Sequence, residues 1–203
     1  MGSLTLGGYD SSRFEPGNLS TPFSPIDARD LTVQVRSITS GDEQLLASPI
    51  ASFLDSTVPY IYLPMPACTA FENTFGIIWN ETSQLYLMND TQHALLQAQN
   101  PSITFTLGSL ESSKTANISF PYVAFALTAS WPLTPSPTRY FPLRRAANST
   151  QYTLGRAFFQ EAYVIADYDA QKFLCFSMQL GCWGEAEYCR DRSSNAGTQR
   201  HVN

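Results

Sequence analysis

The stretch Leu31-Thr-Val33-Gln-Val35-Arg-Ser-Ile38 alternates apolar and polar residues with a period of two. A helix would spread that pattern around its whole circumference, whereas a strand sorts it onto two faces, so the run predicts a half-buried strand. Short runs of the same kind recur along the chain: Leu4 to Leu6, Ile50 to Leu54, Leu85 to Met88, Ile103 to Leu107, Ile118 to Phe120, Tyr122 to Leu127, Tyr152 to Leu154 and Tyr163 to Ala166. The fold class they predict is mainly β. Turn signals separate them. Gly7-Gly8 follows the first run, and Gly41-Asp42-Glu43 turns the chain after Ile38. Residues 14–26 read as a polar, proline-punctuated loop, and Trp131 to Pro137 is too rich in proline for a sheet interior.

Two short helices are expected. From Pro64 to Gly76, Pro66 suits a first turn, Ala67, Ala70, Phe71 and Phe75 fall on neighbouring faces, and Gly76 can close the end. Asp90 to Gln99 reads as a short helix or a turn, and Arg156 to Glu161 as a further brief helical segment. After Trp183 the chain turns polar and loses periodicity. One domain over residues 1–183, followed by a frayed polar tail over 184–203, is the expectation.

Apolar residues make up 43% of the 203 and aromatics 13%, enough for a packed core, while charged residues are only 14% against a typical quarter or so. The net charge of −5 repels phosphate backbones and argues against a nucleic-acid partner. No apolar run approaches the length of a membrane span. With only His93 and His201 available, a Ser-His-Asp triad has little to draw on, and His93 reads as a solvated surface residue. Cys175, Cys182 and Cys189 recur every seven residues, which is not zinc-ligand spacing. Arg144-Arg145 reads as a solvated pair flanking a loop.

Asn18, Asn80, Asn89, Asn117 and Asn148 each open a glycosylation sequon, where chance would give about two. With four cysteines, this points to the secretory route or the cell exterior. Yet Met1-Gly-Ser-Leu-Thr-Leu has neither the basic nor the apolar region of a signal peptide, so an N-terminal portion is expected to be missing.

Three segments, in this order, resemble the C-terminal lobe of pepsin-like aspartic peptidases, with wording closest to a divergent fungal branch. Ser3-Leu-Thr-Leu-Gly7-Gly8-Tyr-Asp10 is similar to the family's Leu-x-x-Gly-Gly-x-Asp turn. Phe53-Leu54-Asp55-Ser56-Thr57 resembles its hydrophobic-hydrophobic-Asp-Thr/Ser-Gly element, and Tyr152-Thr-Leu154-Gly155-Arg156-Ala-Phe158-Phe159 its Leu-Gly-x-x-Phe-Leu segment. The resemblance implies one lobe of a bilobal double-barrel fold, with Asp55 as one of two aspartates that share a proton across a water. Ser56, Thr57, Leu154 and Gly155 would support the catalytic loop. No cofactor and no metal are implied. The partners implied are the missing N-terminal lobe and a peptide or protein substrate. The family also suggests that Cys68 pairs with Cys182 or, failing that, Cys175, and that Asp167 ties the final strands.

One departure stands out. Thr57, β-branched and stiff, occupies the place of the family's glycine. That substitution favours a rival reading, a non-catalytic peptide-binding module with the same fold. Self-pairing of two copies, each lending an Asp55, is a third reading, which a monomeric sedimentation profile would remove. The turn explanation of Asp55-Ser56, a simple cap before Pro59, stands beside all three.

Overall fold

A computed structural model describes residues 4–15, 17, 19–25, 29–109 and 113–178. In chain order the elements begin with β1 (Ser20–Pro22), β2 (Thr32–Ser40), β3 (Glu43–Gln44), β4 (Ile50–Leu54), β5 (Ile61–Leu63) and α1 (Met65–Phe75). There follow β6 (Ile78–Asn80), β7 (Leu85–Met88), α2 (Asp90–Gln99), β8 (Ser102–Gly108), β9 (Thr115–Pro121) and β10 (Leu127–Ala129). The chain continues through β11 (Thr138–Phe141), β12 (Leu143–Arg145), β13 (Thr153–Leu154), β14 (Ala162–Asp167) and β15 (Lys172–Ser177). Among the described residues the strands form three sheets. The largest has eight strands in the order β12-β5-β13-β4-β2-β8-β9, with β3 attached to β2. A four-stranded sheet runs β10-β11-β7-β6, and a three-stranded sheet runs β1-β15-β14.

The alternation of β2 does what its sequence demands. Val33 and Val35 are buried, and then the buried set shifts phase to Ile38 and Ser40. A register irregularity between Val35 and Ser37 absorbs the extra residue, so both halves keep their apolar side chains inward. Phenylalanines join the layers into one core: Phe120 lies 5.2 Å from Phe105, 5.5 Å from Phe125 and 5.5 Å from Phe158, ring centre to ring centre.

Helix α1 follows its predicted span. Pro64 precedes it, Ala67, Cys68, Phe71 and Phe75 form its buried face, and Gly76 ends it in the left-handed conformation (φ 62°), donating its amide to the Glu72 carbonyl. Asp90–Gln99 is a helix rather than a turn, because Asn89 Oδ1 accepts the Gln92 amide at 2.8 Å and caps it. Only Leu96 of α2 is buried, so the helix lies on the surface.

Several expectations are corrected. Leu4 and Leu6 form no strand; they are 86% and 85% exposed. The loop expected at 14–26 contains β1, which pairs with β15 and carries the buried Thr21. Tyr122 to Leu127 is not one strand. Pro121 ends β9, and a 3-10 turn over Tyr122–Ala124 follows before β10 begins. The segment after Arg156 is only a 3-10 turn, Phe158–Gln160.

Arg144 and Arg145 are not a solvated pair. They sit on β12, half-buried, with Arg144 over the Tyr60 ring at 4.3 Å and Arg145 over Trp79 at 4.6 Å. Arg145 also bonds Glu72 Oε1 at 2.9 Å and the Tyr86 hydroxyl at 2.8 Å, joining β12 to α1 and β7. Cys68 and Cys175 are both buried free thiols, so they do not pair with each other, and burial pushes them up to about 11 and about 12 respectively. Cys182, Asn18 and the tail over 184–203 lie outside the described residues.

His93 is also not a solvated surface residue. Its Nδ1 lies 2.7 Å from the Tyr122 hydroxyl, and burial, helped by the nearby Arg139 charge and opposed by Asp90, lowers its pKa. A base whose folded value is depressed favours the neutral form. The stability it contributes is whole above the unfolded value near 6.5 and is lost as pH falls through the folded value. His93→Gln is therefore expected to flatten the fall in melting temperature between about pH 7 and pH 5 relative to the parent chain, measured by thermal melts across that window. An unchanged slope would remove His93 as a source of acid sensitivity.

Candidate active site

Strands β4 and β5 are consecutive in sequence but are not neighbours in the sheet. Strand β13 lies between them, parallel to β4 (Thr153↔Phe53, Leu154↔Leu54) and antiparallel to β5 (Thr153↔Tyr62, Leu154↔Ile61). The link from β4 to β5, residues 55–60, must therefore cross the end of β13. Leu54 and Leu154 anchor the crossing in the core, each almost fully buried. Asp55 is the first residue beyond β4. It is half-buried, while Ser56, Thr57 and Pro59 are exposed.

The crossing is strapped down by main-chain bonds. The Asp55 amide donates to the Leu154 carbonyl at 3.2 Å. The amides of Gly155, Arg156 and Ala157 then donate to the carbonyls of Tyr60 (3.1 Å), Val58 (2.7 Å) and Pro59 (3.2 Å). Gly155 has to be glycine: a Cβ there would stand 2.3 Å from the Tyr60 oxygen and 2.4 Å from the Val58 oxygen, both backbone atoms that cannot step aside.

The carboxylate of Asp55 folds back on its own loop. Its Oδ1 accepts the Thr57 amide at 2.8 Å and the Thr57 hydroxyl at 2.7 Å, an Asx turn with a second, side-chain bond. Among the described residues no donor reaches Oδ2. Thr57, which the sequence presented as a stiff intruder in a glycine's place, supplies that second bond. Ser56 contributes its carbonyl rather than its hydroxyl, accepting from Arg156 Nη1 at 3.3 Å, and the same nitrogen reaches the Thr57 carbonyl at 3.0 Å.

Arg156 is the residue that sequence reasoning missed. The available signal was its place directly after Gly155, where the strap begins. The five residues singled out around the loop, Asp55, Ser56, Thr57, Leu154 and Gly155, thus lie in one constellation. Of the sequons, Asn89, Asn117 and Asn148 are exposed and Asn80 is half-buried. Asp167 Oδ1 accepts the Ala170 amide at 2.9 Å, holding the turn between β14 and β15.

An acid at the end of a strand, on a loop crossing a strand inserted from elsewhere in the chain, can position one carboxylate oxygen toward a second reacting group. The aspartic proteinase from Irpex lacteus aligns over 85% of this chain and 50% of its own, with a TM-score of 0.61 and 18% identity. The fold is accordingly that of half a pepsin-like aspartic proteinase, mainly β with two α-helices among the described residues, and the chain spans half the length of that solved relative. The family model for eukaryotic aspartyl proteases matches residues 1–175, and the chain belongs to that family. No curated protein matches it. No helix among the described residues is long and apolar enough to cross a membrane.

Proposed function

We propose that this chain is the Asp55-bearing lobe of an acid endopeptidase of the secretory route, of a fungal-type branch, and that it does not cleave peptides by itself. The carrying observation is the Asp55 carboxylate, fixed through Oδ1 by two bonds from Thr57 while no described donor reaches Oδ2. Peptide hydrolysis by this chemistry requires two acids that cannot both ionise at close range: one takes a proton from water as the other donates to the carbonyl oxygen. An opposing lobe supplies the second acid, and extended peptide or protein is the substrate. The exposed sequons support passage through the secretory route.

The test is reconstitution. The purified chain is expected to show no cleavage of denatured protein at acidic pH, and addition of an opposing lobe carrying its own catalytic aspartate is expected to produce pepstatin-sensitive cleavage. Cleavage by the chain alone would overturn the reading. Thr57 favours a second one, a peptide-binding lobe without turnover, because its exposed branched side chain stands where the family has none. Binding of an extended peptide with no cleavage after reconstitution would decide for it.

A further inference from the structure

We infer that the cleft beside Asn89 seats the first N-acetylhexosamine of an N-linked glycan carried on Asn89. The inference rests on the proposed secretory passage, but not on proteolysis. The cleft is about 350 Å³ and is lined by Gly76, Ile78, Leu87, Met88, Asn89 and Thr138, among others. Ile78 is 69% exposed, although it lies on a paired strand. Its cross-strand partner is Leu87, and Leu87 and Asn89 stand two apart on extended chain, so all three point to one face. An aliphatic strip thus ends at a sequon amide.

The amide is already oriented. Asn89 Oδ1 accepts the Gln92 amide as the cap of α2, which leaves Nδ2 outside that bond. Glycosylation uses Nδ2 alone: the Nδ2–C1 bond forms, the C1–oxygen bond to a polyprenyl diphosphate oligosaccharide donor breaks, and one proton leaves Nδ2. Oδ1 is untouched, so the cap and the glycan coexist. The C–H-rich face of the first sugar then covers Ile78 and Leu87, removing apolar surface from water, with Thr138 on the polar edge. Asn80 also borders the cleft, but it is half-buried whereas Asn89 is exposed.

The test uses the full 203-residue chain, led through a yeast secretory route behind a cleavable leader and then trimmed by an endoglycosidase that leaves the first sugar. Glycopeptide mass spectrometry is expected to find Asn89 occupied. The trimmed chain is expected to melt about 2–4 °C above Thr91→Ala, which destroys the sequon and keeps the cap. Ile78→Ser should erase that difference and change little in the Thr91→Ala background. The inference is overturned by an unoccupied Asn89, by an equal effect of Ile78→Ser with and without the sugar, or by the gain disappearing with Thr82→Ala instead. Occupied Asn117 or Asn148 beside a bare Asn89 would sink this inference alone, whereas no occupied sequon at all would also sink the secretory reading.

Discussion

Asp55→Asn, assayed with an opposing lobe in the proposed two-lobe peptidase, is expected to lower kcat by roughly 10²–10⁴-fold, the range spanned by a lost general acid or base, with little change in KM. The substitution is close to isosteric. Asparagine keeps an Oδ1 acceptor for the two bonds from Thr57, so the loop should hold its shape and the melting temperature of the chain should stay within about 2 °C. Steady-state cleavage of a peptide and a thermal melt separate the two effects. Full turnover by the variant would remove Asp55 from the chemistry, and loss of turnover together with a large fall in melting temperature would make it a structural residue.

Gly155→Ala is expected to be the most damaging glycine-to-alanine change among the described residues, because the atoms in the way are backbone. The added Cβ meets two carbonyl oxygens at 2.3 and 2.4 Å, well inside contact distance, and both belong to the strapped crossing. Relief requires moving the 58–60 segment or breaking the three bonds from residues 155–157. A cost on the order of 3 kcal/mol follows, which for a domain of this size is a fall of about 6–12 °C in melting temperature. Gly8→Ala, where nothing lies within 4 Å of the added atom, is the matched control and should leave the melt in place. Equal melts for the two variants would refute the strap.

The sequence revealed most where side chains alone decide the outcome. The period of β2 named its buried residues, and Pro66 with Gly76 bracketed α1, because both signals are local. It revealed least where a strand exists only through its neighbours. Ile61–Leu63 and Leu143–Arg145 are three residues long, too short for any period, and become strands because they line up side by side. Strand β12 was also disguised by its arginines, whose charges read as solvent-facing until Tyr60, Trp79 and Glu72 were placed around them. At the loop, the place of Asp55 just beyond the β4 run was legible, but the part taken by Thr57 was not. A hydroxyl two residues after an aspartate signals a bond only when the backbone between them is known to turn.

The position of β13 also dictates an order of events. Arg156 reaches back to a partner 100 residues earlier, and β13 itself must slide between two strands made long before it. Joining segments so far apart incurs the entropy of closing a large loop before any contact rewards it, which slows folding. The 55–60 crossing therefore cannot be strapped until residues 153–157 reach it, and the Asp55 loop takes its shape late in folding.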